Sequence, residues 1–303
     1  MKRNTFAWAV NEQVIANRSA LGHAASFAGH RDRLTREIVQ RAPPGSDGGQ
    51  GRLCLLGAGN AHDVDLSLLA DAFAEIHLVD IDREALDAAR ARVPEAVRAR
   101  LRLHAPIDIS GSWDRLQEWG PGSASPSEDA VRADVARAAA GVVAAVPGGP
   151  FDVVVSCCML TQLQLTLLQS VGDRHPAFEA LRASINAVHV RVIAGLTGPG
   201  GHGLLVTDLT SDATYPLDTV GAGDDLRKLM ADLVAVGNVM HAAHPGLLSA
   251  EIRRDPALAA AFGVRFPVGP WLWNNGPERI FLVYGLEITR LLAPVVASEP
   301  PSP

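Results

Sequence analysis

Residues 53–63, Leu-Cys-Leu-Leu-Gly-Ala-Gly-Asn-Ala-His-Asp, constrain the fold more than any other stretch of the chain. A short apolar run stops at Gly57, a second glycine follows at position 59, and a helix-like pattern begins after Asp63. This order predicts a buried strand, a tight turn and the start of a helix. Glycine lets a ligand approach the backbone closely. N–H groups at a helix start favour an anionic or polar ligand group.

A second apolar run, residues 75–80, ends in a carboxylate at Asp80. In a parallel sheet Asp80 would lie at the carboxyl edge beside the glycine turn, which is where ligands bind in such sheets. A carboxylate there can accept hydrogen bonds from the hydroxyls of a ribose. The first two strands therefore predict a nucleoside-binding edge.

Further strand-like runs follow, separated by helical patterns. They cover residues 101–104, 151–160, 203–208, 271–273 and 279–287. This alternation predicts an α/β fold with a Rossmann-like, doubly wound sheet. We expect seven strands; the family resemblance given below implies that they are mostly parallel, with an antiparallel strand near the C-terminus.

The chain divides at a segment rich in proline and glycine, residues 41–51. Residues 4–40 before it carry apolar positions at helical spacing and predict one or two helices. We expect a helical extension or lid over residues 1–44, the sheet domain over residues 51–290 and a disordered tail over residues 291–303.

Net charge, cysteine placement and the length of apolar runs limit the partners and the compartment that we expect. The formal charge is −6 and the pI is near 5.9, which argues against a constitutive nucleic-acid partner. The cysteines Cys54, Cys157 and Cys158 lie in apolar runs, and the adjacent pair would point to opposite faces of a strand. No apolar run has the length of a signal peptide or a membrane span. We expect a reduced, cytoplasmic protein with no membrane partner.

Two families combine such a turn with such an acid: dinucleotide-binding dehydrogenases and class I methyltransferases that use S-adenosylmethionine. The dehydrogenase pattern G-x-G-x-x-G has its third glycine where this chain has His62. The methyltransferase pattern G-x-G-x-G has it where this chain has Ala61. The glycines alone leave both families open.

The rest of the chain resembles the class I methyltransferases over roughly residues 52–286. Residues 57–66 are similar to the variant G-x-G-N-x-x-D-x-x-L found in some of these enzymes. Asp80, Asp108 after the third strand, the run Phe-Asp-Val-Val-Val-Ser at 151–156 and the late pair of strands also match. The resemblance implies that residues 51–290 form a class I methyltransferase domain.

The resemblance implies S-adenosylmethionine as the cofactor, with Asp80 at the ribose and Asp108 at the adenine amino group. Two of the acids have a structural alternative, because Asp63 can cap the following helix and Asp108 can be an ordinary turn residue. The expected cofactor-binding residues are Gly57, Ala58, Gly59, Asn60, Asp63, Asp80, Ile81, Asp108, Ile109, Ser156 and Cys157.

The sequence departs from the family at two positions. Ala61 replaces the third glycine, and Leu55 occupies a place where the family usually has an acid that works near the methionine end of the cofactor. Asn60, Asp63, or the pair His30 and Arg33 on the N-terminal helices could take over that contact. His30 and Arg33 are three residues apart, which predicts a shared helix face; the alternative is a solvated basic face.

The expected acceptor is a small molecule methylated on oxygen or nitrogen. Candidates for binding it are His30, Arg33, Met159 and Tyr215. His30, His104, His241 and His244 are candidate general bases, and each is also consistent with an ordinary histidine.

Other reactions receive less support. We expect no catalytic metal, because metal-dependent catechol-type methyltransferases have an acid directly after the fourth strand, where this chain has Ser156 and Cys157. The same position lacks the Asp/Asn-Pro-Pro-Tyr/Phe sequence of enzymes that methylate exocyclic amines of bases or glutamine. A nicotinamide-dependent oxidoreductase and a nucleoside-binding protein without catalysis remain as alternatives. The sequence does not indicate the oligomeric state.

Overall fold

A seven-stranded sheet organises the computed structural model, which describes residues 5–44, 50–119, 126–276 and 279–292. The strand order is β3-β2-β1-β4-β5-β7-β6. Every neighbouring pair is parallel except those that β7 makes, because β7 runs antiparallel to both β5 and β6. The predicted Rossmann-like fold, with its antiparallel C-terminal strand, is confirmed. The strands are Arg52–Leu56 (β1), Glu75–Val79 (β2), Leu101–His104 (β3), Phe151–Cys157 (β4), Thr197–Ser211 (β5), Phe262–Asn274 (β6) and Ile280–Arg290 (β7).

Helices cover both faces of the sheet. Alternate residues of β1 point to opposite faces: Leu53 and Leu55 join one apolar core, while Cys54 and Leu56 join the other. All four are fully buried, as expected for a central parallel strand. The helices are Thr5–Ala20 (α1), Ala28–Val39 (α2), Leu66–Ala72 (α3), Arg83–Ala91 (α4), Glu95–Arg98 (α5), Trp113–Trp119 (α6), Glu128–Ala145 (α7), Leu160–Val171 (α8), Phe178–Leu196 (α9), Leu226–Ala235 (α10), Pro245–Arg254 (α11) and Pro256–Ala261 (α12).

Strand register brings the ends of the central strands to one edge. Leu56 pairs with Val79 on β2 and with Ser156 on β4, and Cys157 pairs with Val206 on β5. The residues that follow these positions therefore leave the sheet side by side. This edge carries the glycine turn and the functional candidates described below.

The two N-terminal helices play different structural roles. Helix α2 packs on the sheet, since Leu34 and Ile38 are fully buried in the same core as β1. Arg41, just after α2, makes buried ion pairs with Glu37 and with Glu287 of β7. Helix α1 instead lies across the functional edge of the sheet. Residues of α1 line the larger cavity at this edge.

Several local predictions need correction. Helix α3 starts at Leu66 with Asp65 as its N-cap, so Asp63 is not the cap. Strand β6 begins at Phe262, well before the predicted start at residue 271, because a long antiparallel pairing with β7 extends it. Most of the predicted tail, residues 293–303, lies outside the described residues. Within the described ranges, no helix has the length and apolar character needed to cross a bilayer.

Candidate functional site

The glycine turn after β1 has the left-handed backbone that its sequence predicts. Gly57 and Gly59 have φ values of +70° and +47°. A Cβ at Gly57 would lie 1.9 Å from Cγ of Met159, so only glycine fits there. Ala61, which replaces the third glycine of the family pattern, also has positive φ, at +51°. The turn therefore keeps its shape without that glycine.

Hydrogen bonds fasten this turn to β2. The N–H groups of Gly57 and Ala58 donate to the carbonyl of Val79 at 2.9 and 3.2 Å. The N–H of Gly59 donates to Oδ2 of Asp80 at 2.7 Å, and the N–H of Asp82 donates to Oδ1 at 2.9 Å. These amides position Asp80 at the sheet edge. The N–H groups of Gly57, Ala58 and Gly59 are therefore already bonded within the protein. The expectation that turn amides face a ligand does not apply to them.

Two neighbouring cavities lie along the carboxyl edge. The larger has a volume of about 360 Å³ and the smaller about 30 Å³. They share wall residues from α1, the glycine turn and the start of α8: Gln13, Gly57, Met159, Gln162 and Thr166. The larger volume is within the range of small-molecule sites, and the smaller has about the volume of one water molecule.

The smaller cavity contains the predicted nucleoside residues. Asp80, Ile81, Asp108 and Ile109 line it. Oδ1 of Asp108 accepts hydrogen bonds from the N–H and the hydroxyl of Ser110, and Oδ2 accepts one from the N–H of Trp113. The turn role that was open for Asp108 is therefore real, and the carboxylate retains acceptor capacity towards the cavity. Burial raises the pKa of Asp80 to about 6, although the amides of Asp82 and Gly59 oppose that shift.

The larger cavity is acidic. Glu12, Asp63 and Asp208 line it, and its described wall includes no lysine or arginine. Oδ1 of Asp63 and Oδ1 of Asp208 are buried without a hydrogen-bond partner among the described residues. Burial, followed by repulsion from Asp208, raises the pKa of Asp63 to about 7; burial also raises that of Asp208 to about 6. Such a wall attracts cationic ligand groups and repels anionic ones.

Aromatic side chains form another part of the larger cavity. Phe27, Trp273 and Phe281 line it. The rings of Phe27 and Trp273 meet edge to face, with centroids 5.7 Å apart. Within the described part of the chain, the indole N–H of Trp273 is buried without an acceptor. The cavity thus combines carboxylates, aromatic faces and side-chain amides such as those of Gln13, Gln162 and Asn275.

His30 lies behind this wall, which corrects its predicted role as a substrate residue or general base. It is 1% exposed; its Nδ1 accepts a hydrogen bond from Nε1 of Trp271, and its ring stacks on Trp273. Burial lowers the pKa of His30 to about 3, so the ring is neutral and carries its proton on Nε2. That nitrogen lies 3.4 Å from Oδ1 of Asp63. The contact with Asp63 therefore connects His30 to the larger cavity.

Other predicted residues lie outside both cavities. Arg33 is partly exposed and pairs with Glu37 at 2.7 Å, so it does not share the environment of His30. Ser156 is fully buried and bonds His189 through its hydroxyl at 2.7 Å, unlike the other predicted cofactor residues, which line one cavity or the other. Tyr215, His104, His241 and His244 are also absent from the described cavity walls; His104 bonds His77 and His244 caps α11.

Helix α1 covers the cavities and is attached to the turn. Nδ2 of Asn17 donates to Oδ2 of Asp82 at 2.9 Å, and Nδ2 of Asn60 donates to the main-chain oxygen of Asn17 at 2.6 Å. A Cβ at Gly59 would lie 2.9 Å from Oδ1 of Asn17. The turn therefore holds both the sheet edge and the helix above it.

Two groups in the site were missed from the sequence. Asp208 belongs to β5, and the only signal for it is a carboxylate inside an apolar strand. Asn17 lies in a helix whose sequence carries no recognisable motif, so its contact with the turn could not be predicted. By contrast, Met159 lines both cavities as expected. Clusters of three or more residues suited to binding a metal are absent from the described residues.

No protein-family model matches the sequence, and no curated protein matches it. Solved structures do show similarity. The glycopeptide N-methyltransferase MtfA with S-adenosyl-L-homocysteine is 15% identical, with 85% of this chain and 89% of that chain covered and a TM-score of 0.42. The magnesium protoporphyrin IX methyltransferase ChlM from Synechocystis PCC 6803 with bound SAH is 10% identical over 89% of this chain and 84% of that chain, with a TM-score of 0.43. YcgJ from Bacillus subtilis is 11% identical over 86% and 98%, with a TM-score of 0.43.

Proposed function

We propose that this protein transfers a methyl group from S-adenosylmethionine to a small-molecule acceptor. The observation that carries the proposal is the pairing of two cavities at one sheet edge. One has a buried carboxylate at Asp80 beside the apolar side chains Ile81 and Ile109, as a ribose and an adenine ring require. The other is acidic, with Asp63 and Asp208 in its wall, as a cationic ligand group requires.

The residues present fit this cofactor. Asp80 would accept hydrogen bonds from the ribose hydroxyls, and Asp108 would accept one from the adenine amino group. The carboxylate of Asp63, whose side chain is 19% exposed, would accept from the α-ammonium, which takes the role of the acid that the family usually has at position 55. The indole N–H of Trp273 would donate to the carboxylate.

The smaller cavity is too small for adenosine as it stands. It holds about one water molecule, and Gln13 of α1 and Met159 border it. Binding therefore requires these side chains, and with them α1, to shift. The attachment of α1 to the turn through Asn17 makes this helix the element that closes over the ligand.

The same site fits a nicotinamide dinucleotide poorly. In dinucleotide-binding sheets the pyrophosphate lies at the helix N-terminus after the glycine turn. Here that N-terminus belongs to α3, whose amides at Ser67 and Leu68 are already bonded to the carboxylate of Asp65. The neighbouring Asp63 and Asp208 would repel the phosphates. The antiparallel β7 also departs from the order 3-2-1-4-5-6 of that fold.

The chemistry asks the protein chiefly to align two molecules. The cofactor supplies an activated methyl group, so the chain's own residues need to hold the acceptor in line with it and exclude water. Met159, packed against Gly57 where the two cavities meet, separates the nucleoside part from the acidic part. Helix α1 closes the space above them.

Calorimetric titration with S-adenosylmethionine, S-adenosylhomocysteine and NAD⁺ tests the proposal. We expect micromolar binding of the first two and no detectable heat with NAD⁺. Saturable NAD⁺ binding without binding of either adenosyl ligand would favour the oxidoreductase alternative. Binding of the adenosyl ligands without methyl transfer to any acceptor would favour a nucleoside-binding protein without catalysis.

A further inference from the structure

Asp208 lines the larger cavity. Its side chain is on β5 and is 5% exposed. Oδ2 accepts a hydrogen bond from the hydroxyl of Thr161 at 2.6 Å, which fixes the rotation of the carboxylate. Oδ1 lacks an N–H or O–H donor among the described residues, and the thiol of Cys158 is the remaining group that faces the carboxylate. A buried acceptor left in this state is costly unless a ligand donates to it.

The groups that face Asp208 make the site suitable for a cation. Asp63 approaches from the glycine turn, Cys158 from the end of β4 and Tyr284 from β7. Burial raises the pKa of the thiol and of the phenol, so both are neutral near pH 7. None of these three neighbours carries a positive charge. The rings of Trp273 and Phe281 line the same cavity, and such rings attract cations.

We propose that the methyl acceptor is an amine, bound as its ammonium form at Oδ1 of Asp208 and deprotonated there. This inference rests on the proposed function. Asp63 then serves the ammonium of the cofactor and Asp208 serves the acceptor. An acceptor carrying a carboxylate or phosphate near its reacting atom would be repelled by both.

The reaction balances with this assignment. A proton moves from the ammonium nitrogen to Oδ1 of Asp208, which leaves the nitrogen with a lone pair. That lone pair forms the new bond to the methyl carbon of the sulfonium donor. The bond between sulfur and methyl breaks, and its electron pair stays on sulfur. The methylated nitrogen carries the positive charge until it loses a proton to solvent, and Asp208 releases the proton that it took before the next turnover.

The carboxylate is a better base here than in water. Burial raises the pKa of Asp208 to about 6, against the hydrogen bond from Thr161, which lowers it. The basicity of the carboxylate is thereby closer to that of an amine with a pKa of about 10. Asp208 must be ionised to take the proton, so kcat/KM should rise as pH increases through about 6.

A paired panel tests the proposal. Primary aromatic and aliphatic amines are each compared with the isosteric alcohol, for example benzylamine with benzyl alcohol. The readouts are thermal stabilisation of the S-adenosylhomocysteine complex and transfer of label from methyl-labelled S-adenosylmethionine. We expect amines to stabilise the complex and to accept the label. A panel in which no amine binds the complex, or in which alcohols bind and react as well as amines, overturns the proposal.

Asp208→Asn tests the residue, with Asp218→Asn at an exposed position as the control. We expect Asp208→Asn to lower kcat by at least about 100-fold and to remove the acid limb of the pH profile. Its affinity for S-adenosylhomocysteine should stay within about twofold of the wild type, which also shows that the variant is folded. Retained kcat with an unchanged pH profile in Asp208→Asn contradicts the inference. Failure of the wild type to bind S-adenosylhomocysteine contradicts instead the proposed function.

Discussion

Nδ2 of Asn60 donates a hydrogen bond to the main-chain oxygen of Asn17 at 2.6 Å, and this contact joins the glycine turn to the helix that covers it. The side chain of Asn17 continues the connection to Asp82 at the start of α4. The same turn therefore shapes the proposed cofactor site and controls access to it. Opening the site requires that these bonds break.

The first prediction concerns Asn17→Ala. The substitution removes the bond to Asp82, which contributes about 1.5–3 kcal/mol as a bond to a charged group. Since the closed arrangement of α1 leaves no room for adenosine, loss of the bond favours the open form. We expect the association rate constant of S-adenosylhomocysteine, measured by stopped-flow fluorescence, to rise about fivefold or more.

Arg18→Ala is the matched control for this experiment. Arg18 also joins α1 to α4, through Glu84, but both side chains are largely exposed, and such pairs contribute little. We expect a change in the association rate of less than about twofold. Equal effects of Asn17→Ala and Arg18→Ala would show that the buried bond does not hold the helix closed.

The second prediction concerns pH and stability. The pKa of Asp63 is raised from 3.8 to about 7 by burial and by repulsion from Asp208. The folded state therefore binds a proton that the unfolded state has lost, and the free energy of unfolding falls as pH rises from about 4 to about 7. Asp63→Asn removes this dependence. We expect the variant to unfold with about 1–3 kcal/mol more free energy than the wild type at pH 8, and with no such gain at pH 4.

Denaturant unfolding at both pH values measures this difference. Asp71→Asn on the exposed side of α3 provides the control and should leave the free energy of unfolding unchanged at either pH. A gain for Asp63→Asn that is equal at pH 4 and pH 8 would show that its origin is not the ionisation of Asp63.

The third prediction concerns Ala61, which has a φ of +51°. The left-handed conformation costs an alanine about 1–2 kcal/mol. Glycine at position 61 would relieve this strain. It would also remove a buried methyl group and increase the entropy of the unfolded chain, and these two effects together destabilise the fold by about as much. We expect Ala61→Gly to change the free energy of unfolding by less than about 1 kcal/mol in thermal or denaturant unfolding.

Ala70→Gly gives the comparison, because Ala70 is equally buried but lies in α3. There glycine brings no relief of strain, and we expect a loss of at least about 1 kcal/mol. Equal losses for the two variants would mean that the backbone at position 61 is not strained.

The sequence predicted the sheet well because its strands carry local signals. Residues 53–56 and 75–79 are apolar runs that end at a glycine and at an acid, and parallel pairing then places those ends side by side. This is why Gly57, Asp80 and Asp108 lie around the cavities as expected.

The parts that failed depend on contacts between distant residues. His30 and Arg33 share a helix, yet one is buried against Trp271 and the other faces solvent, because β6 covers only one side of α2. No pattern near position 30 indicates that partner, which is 241 residues away. Ser156 was misplaced for a similar reason. Successive strand residues point to opposite faces of the sheet, and the hydroxyl of Ser156 points to His189 of α9.

The most direct test of the central claim is the affinity of Asp80→Asn for S-adenosylhomocysteine, measured by calorimetry. The control is Asp87→Asn on the exposed side of α4, and near-ultraviolet circular dichroism checks that both variants are folded. If Asp80 holds the ribose at this edge of the sheet, Asp80→Asn binds at least about tenfold more weakly than the wild type, a loss of about 1.4 kcal/mol, while Asp87→Asn binds normally. An Asp80→Asn variant that is folded and binds S-adenosylhomocysteine as tightly as the wild type would contradict the account.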